Sequence, residues 1–185
     1  MNTGRSDFGG NGTQTSALGY GGYSATAYGN FTESWNGSSW TEVNDLNQSR
    51  RVPGGIGADN TAALCFGGFR DPPPEAVAFT ENWNGSSWTE VNDMTLANNS
   101  MAGSGTSTAG LSFGGNSPRT STQSWNGTNW SNENDLNTGR STLGGAGSQT
   151  LGLAFGGDTP GGVTAATEEW YGTGLYIETL TTTED

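Results

Sequence analysis

The chain has 185 residues, among them 32 Gly and seven Trp, and carries a formal charge of −12 because 18 carboxylates face six arginines. It contains no His and no Lys, which excludes an imidazole base, a Ser–His–Asp triad, a His-ligated metal, a Schiff-base lysine and a P-loop lysine. The acidic balance opposes binding to nucleic-acid phosphates or to an anionic membrane surface.

Leu, Ile, Val and Phe together number only 25; with so high a charge, that composition alone would suggest disorder. A periodic pattern overrules it. The length fits one domain or an array of small units, and not two independent cores. Cys65 has no partner for an intrachain disulfide, and its neighbours Ala62-Ala63-Leu64 and Phe66 point to a small buried hydrophobe. No apolar run approaches the roughly 20 residues that span a bilayer, so no membrane insertion is expected. Residues 1–7 lack the apolar core of a secretory signal, which suggests cytosolic synthesis or a start further upstream.

Taken in chain order, three markers recur four times. Each unit opens with a leading Arg (Arg5, Arg50, Arg140, with Asn98 in the third unit) and a glycine-rich stretch: Gly9-Gly10-Asn11-Gly12, Gly54-Gly55-Ile56-Gly57, Gly103-Ser104-Gly105 and Gly144-Gly145-Ala146-Gly147. This stretch predicts a first strand packed where only Gly and Ala fit. An apolar strand follows, such as Thr61-Ala62-Ala63-Leu64-Cys65-Phe66, and ends in an aromatic residue followed by Gly-Gly: Tyr20-Gly21-Gly22, Phe66-Gly67-Gly68, Phe113-Gly114-Gly115 and Phe155-Gly156-Gly157. A third strand ends at a Trp, as in Ala78-Phe79-Thr80-Glu81-Asn82-Trp83, and a glycine turn leads into a fourth, as in Trp88-Thr89-Glu90-Val91. The turn motif is Trp35-Asn36-Gly37-Ser38-Ser39-Trp40, then Trp83-Asn84-Gly85-Ser86-Ser87-Trp88, then Trp125-Asn126-Gly127-Thr128-Asn129-Trp130, with a decayed copy at Trp170-Tyr171-Gly172-Thr173-Gly174-Leu175.

Spacings of 48, 42 and 45 residues between the first tryptophans define an array with a period in the forties. β-branched residues bounded by Gly, Asn, Asp and Ser predict strands, and the glycine density opposes helix. The class is all-β. A lone four-stranded unit cannot bury both faces, whereas units stacked face to face can. The predicted structural core is Trp35, Trp40, Trp83, Trp88, Trp125, Trp130 and Trp170 with Phe66, Phe113 and Phe155, each ring able to bury about 150–250 Å². A ring of such sheets is a β-propeller.

Leading Arg, glycine-rich first strand, aromatic-Gly-Gly and a Trp hairpin about 20 residues later together resemble the kelch repeat. The resemblance covers essentially the whole chain and implies a β-propeller of four kelch-like, four-stranded antiparallel blades, at about 1–46, 47–94, 95–136 and 137–185. Trp40, Trp88 and Trp130 match the family's outer-strand Trp, with Leu175 in its place in the fourth unit. Kelch units usually run longer and full rings have more blades, so the four blades either close as a ring or form part of a larger one. Residues 181–185 read as a frayed tail. The wording Trp-Asn-Gly-Ser-Ser-Trp-Thr-Glu-Val-Asn-Asp is also similar to kelch-like arrays of tailed bacteriophages and aquatic microbes, implying a virion or extracellular appendage such as a tail fibre.

Function is expected where the units differ. The distance from the Gly-Gly aromatic to the next Trp is 15, 17, 12 and 15 residues, whereas the Trp-to-Trp turn keeps its length in the first three units. The connection after Gly-Gly is therefore the variable loop on a constant scaffold. Tyr23, Tyr28, Phe69, Arg70, Asp71 and Arg119 are its ligand-binding candidates, because exposed aromatics stack and arginines make bidentate contacts. The expected role is non-enzymatic recognition or assembly, with a cell-surface glycan or a protein as partner and homo-oligomers as one form of assembly. A self-assembling spacer and a carboxylate-dependent glycan-processing enzyme are the alternatives.

Other repeated residues read as structural. The leading arginines suit hydrogen bonding between blades rather than a carboxylate clamp. The pairs Asn44-Asp45, Asn92-Asp93 and Asn134-Asp135 suit turn chemistry rather than a calcium site. Glu33, Glu81 and Glu168, two residues before a Trp, read as a solvated strand face rather than a glycosidase pair. The sequons at Asn11, Asn30, Asn36, Asn84 and Asn126 read as turn composition. Tyr20 with Cys65 would suit a cross-linked copper site only if histidine ligands were present. No cofactor and no metal is expected.

Overall fold

Each sequence repeat builds one small sheet. The computed structural model describes residues 1–25, 27–116, 119–172 and 176–180, and among these no helix occurs. The first unit forms β1 (Gly9–Gly12), β2 (Ala17–Tyr20), β3 (Thr32–Trp35) and β4 (Trp40–Glu42), antiparallel and in chain order. The second forms β5 (Gly54–Asp59), β6 (Ala62–Phe66), β9 (Thr80–Trp83) and β10 (Trp88–Val91) in the same order, with a small hairpin of β7 (Phe69–Arg70) and β8 (Glu75–Ala76) set into its variable connection. The third is β11 (Ala102–Thr106), β12 (Ala109–Phe113), β13 (Thr122–Trp125) and β14 (Trp130–Asn132). The fourth is β15 (Gly144–Gly147), β16 (Leu151–Phe155), β19 (Thr167–Tyr171) and β20 (Tyr176–Leu180), with a second hairpin, β17 (Asp158–Thr159) and β18 (Gly162–Val163).

Register explains the glycines of the first strand. The Gly-Gly aromatic lies opposite a small residue: Gly9 faces Tyr20, Gly54 faces Phe66, Ala102 faces Phe113 and Gly144 faces Phe155. A Cβ on Gly54 would sit 2.2 Å from Cε2 of the Phe66 ring, so the ring needs the bare backbone there. In each Trp-to-Trp turn the Asn side chain closes the loop: Asn84 Oδ1 accepts from the N–H groups of Ser86 and Ser87 at 2.9 and 3.0 Å, and Asn36 and Asn126 do the same.

The core lies between successive sheets. Strand β5 packs against β1 and β11, and β11 packs against β15. The first cluster joins Leu18 and Tyr20 of one sheet to Ala63, Cys65, Trp83 and Trp88 of the next. The second joins Leu64 and Phe66 to Met101, Trp125 and Trp130, and the third joins Leu111 and Phe113 to Ala154 and Trp170. Tyr20 meets Trp88, and Phe66 meets Trp130, edge to face at 4.9 Å. The indole N–H of Trp88 donates to Thr32 Oγ1 and that of Trp130 to Thr80 Oγ1, each at 3.0 Å and each reaching the preceding unit.

Two main-chain ladders stitch the same seams. Gly22, Gly68 and Gly115 donate to the carbonyls of Arg50, Asn98 and Arg140, the leading residues of the following units. Val52 donates to Asp7, Ser100 to Val52 and Thr142 to Ser100. Asp7, Val52, Ser100 and Thr142 all hold φ between 46° and 58°, a conformation costly for β-branched residues that the ladder fixes in place.

Four expectations need correction. Glu33, Glu81 and Glu168 are not solvated: they are buried and paired with Arg5, Arg50 and Arg140, because the segment leading into each unit folds over them, the N–H groups of Asn2, Asn47 and Asn137 donating to their carboxylates. The arginine side chains accordingly bind inside their own units, Arg5 to Gly19 O and Arg140 to Ala166 O, and it is the main-chain carbonyls of Arg50 and Arg140 that link neighbours. Trp35 and Trp40 are half-buried and Phe155 is 41% exposed, so these three stand at the ends of the array rather than in its core. In the fourth unit Trp170 pairs with Ile177, so Ile177 and not Leu175 occupies the second-Trp register. Residues 181–185 and Leu175 lie outside the described residues.

Candidate binding cleft

The variable connections of the first two units converge. A cleft of about 730 Å³ is lined by Tyr23, Ala27, Tyr28, Asn47, Gln48, Ser49, Arg70, Asp71 and Pro72. Tyr23 is placed by a bridge to Ser6 and another to Tyr28. Arg70 and Asp71 are placed by the β7–β8 hairpin, itself tied to the leading segment by the Arg51–Phe69 bridge.

The wall is a run of aromatic rings. Tyr23 and Tyr28 lie 5.4 Å apart between centroids, and Tyr28 meets Phe69 edge-on at 6.4 Å. The Arg51 guanidinium sits over both Tyr28 and Phe69, at 5.4 and 5.3 Å, and is held from the other side by Asp7 at 3.1 Å. Although burial opposes its charge, the Asp7 hydrogen bond and the neighbouring Tyr28 hydroxyl carry the Arg51 pKa above its ordinary value. Arg70 binds Glu75 Oε1 through Nε at 2.7 Å and through Nη2, and stacks on Phe79 at 5.5 Å, which fixes its direction.

The opposite rim is amide and hydroxyl. Asn47 is anchored by donating to Glu81 Oε2 and to the Trp88 carbonyl, and Gln48 by donating to Glu90. This rim is the connection between the first and second units. Asp71 is exposed at the mouth.

Of the six residues proposed from sequence, Tyr23, Tyr28, Arg70 and Asp71 line the cleft and Phe69 supports its aromatic wall. Arg119 does not belong to it: its bridge partner is Arg140, at the seam of the third and fourth units, and its Nε donates to Asn116 O. The connection of the third unit runs 12 residues, against 17 in the second. Sequence reasoning missed Asn47, Gln48, Ser49 and the supporting Arg51. Arg51 had a signal, since the other arginine-led units carry Ser6 and Ser141 at its position.

The remaining candidates take structural parts. Asp45 and Asp93 accept from the N–H groups of Thr32 and Thr80, and Asn44 and Asn92 donate to Ser86 O and Thr128 O in the next unit. No cluster of three or more metal-ligating side chains occurs among the described residues. Cys65 is buried, and burial raises its thiol pKa; Arg50 Nη2 donates to its Sγ at 3.3 Å. No family model matches the chain, and no curated protein matches it.

Proposed function

We propose that the chain is four kelch-like propeller blades serving as a non-enzymatic recognition module of a virion or extracellular appendage, and that it binds a neutral saccharide in the Tyr23–Arg70 cleft. One observation carries the reading: the variable connections of two adjacent units meet in a single cleft with an aromatic wall and an amide rim. A sugar offers C–H faces that stack on rings such as Tyr23 and Tyr28, and hydroxyls that bond to Asn47, Gln48, Arg70 and Asp71. The charge of −12 disfavours a polyanionic ligand. The repeated glutamates are buried in ion pairs, which supports binding over hydrolysis through those carboxylates.

The test is a screen of neutral glycans followed by calorimetry on any ligand found. Saturable binding is expected, and Tyr28→Ala combined with Arg70→Ala should weaken it at least tenfold, or about 1.4 kcal/mol. Binding unchanged by that pair of substitutions would remove the cleft from the assignment, and failure to bind any neutral glycan would overturn the ligand class.

A further inference from the structure

Beyond ligand recognition, the two ends of the array carry the unmatched halves of a fourth seam. Within the chain the first two seams repeat the same parts, an aromatic and a Leu from the earlier unit, tryptophans from the later one, an indole bonded to a Thr, and two main-chain links, and the third keeps the aromatic, the Leu, one Trp and both links. The fourth unit presents the earlier half. Phe155 is 41% exposed and Leu151, on the same strand face, is 62% exposed, whereas Tyr20, Phe66 and Phe113 are buried. Thr167, which pairs with Phe155 as Thr32 pairs with Tyr20, is half-buried and, among the described residues, without an indole donor.

The first unit presents the later half. Trp35 and Trp40 are half-buried, Phe8 is 41% exposed, and the Trp40 indole N–H makes no hydrogen bond among the described residues, unlike those of Trp88 and Trp130. The ladders stop at the same places. Among the described residues Gly157 N–H lacks the acceptor that Gly22, Gly68 and Gly115 have, and the Arg5 carbonyl lacks the matching donor. Likewise, among the described residues, Asp7 N–H and the Thr142 carbonyl are the two open ends of the second ladder.

We infer that the fourth-unit face docks on the first-unit face of a second copy of this chain, continuing the internal seams across a head-to-tail interface. Trp40 of one copy then packs on Phe155 of the other and donates to its Thr167 Oγ1, Gly157 N–H meets the Arg5 carbonyl, and Asp7 N–H meets the Thr142 carbonyl. Such an interface is heterologous: each copy uses two different faces, and two copies joined at both ends close into a ring of eight units, within the range known for propellers.

Light scattering behind size exclusion, over a concentration series at 0.15 M salt, gives the test. The wild-type mass should rise to at least twice the 19.1 kDa of one chain; a monomer at every concentration overturns the inference. Leu151→Arg and Trp40→Arg each block one face while lowering the net negative charge, so electrostatic repulsion cannot account for lost association. Each alone should be monomeric, with far-UV circular dichroism unchanged because both side chains lie at the open ends. Mixed, the two variants retain one intact pair of faces and should form a hetero-pair; no pair on mixing, or a Trp40→Arg variant that still self-associates, overturns the head-to-tail mode.

Discussion

Glu81→Gln removes one member of a fully buried ion pair and leaves the Arg50 guanidinium in place. Arg50 Nη2 lies 3.0 Å from Glu81 Oε1, and both side chains are 0% exposed. Glu81 Oε2 also accepts from Asn47 N at 2.7 Å. Stranding a buried charge costs about 3–5 kcal/mol. The third unit shows how the site works without charge: Asn98 and Gln123 stand at the two positions, both are buried, and Gln123 Oε1 accepts from Thr95 N at 2.9 Å as Glu81 does from Asn47. Asn98 Nδ2 donates to the Gly114 carbonyl at 2.7 Å. Copying that solution as Arg50→Asn with Glu81→Gln should therefore recover much of the loss, retaining a deficit of about 1–2 kcal/mol for the void left by the shorter side chain.

Urea unfolding followed by Trp fluorescence measures this directly. With a slope of about 2 kcal/mol/M, the single variant should shift its midpoint down by about 2 M and the double variant by less than about 1 M. The coupling between the two positions is then at least about 2 kcal/mol. A double variant as unstable as the sum of its singles, or a Glu81→Gln loss under about 1 kcal/mol, would refute the claim that the pair is held by mutual charge compensation.

Three further outcomes follow from the same geometry. Among the described residues buried Thr122 Oγ1 has no hydrogen-bond partner, and Ile177 stands in the register of the second Trp at its seam; Ile177→Trp should supply an indole donor and raise stability by about 1–2 kcal/mol, read as a higher Tm. Gly54→Ala places a Cβ 2.2 Å from Phe66 Cε2 and should cost about 1–3 kcal/mol by overpacking, measured by the same denaturation. Burial raises the Cys65 pKa, with Arg50 only partly opposing it, so the folded chain holds the proton more tightly than the unfolded one. Its contribution to stability is full below the ordinary thiol value of about 8.5 and declines as pH rises past it; a thiol reagent at pH 8 should label Cys65 only on unfolding, and labelling at the rate of an exposed thiol would contradict the burial.

How much was legible in the sequence differs between the fold and the cleft. Strand existence and order followed from repetition, because the same turn, the same Gly-Gly and the same Trp at four equivalent places report one shared steric demand. The predicted fourth strand beginning at Trp88 matches β10, and the third strand misses only by starting at Ala78 rather than Thr80. Tyr23, Tyr28, Arg70 and Asp71 were legible as departures from the repeat. That they share one cleft while Arg119 stands apart was decided by the β7–β8 hairpin and the Arg51 stack, which depend on contacts between units.

Burial of the glutamates was likewise a tertiary outcome. An acidic residue alternating with a Trp on a strand reads as solvent-facing until the unit's own leading segment folds over it, and only then does the leading Arg, some 30 residues earlier in the chain, become its partner. Sequence alone determined the unit, since local sterics repeat with the residues that impose them. The seams between units, and the unmatched faces at either end, were decided by packing, because whether Phe155 is core or surface depends on what stands beside it and not on its own neighbours in the chain.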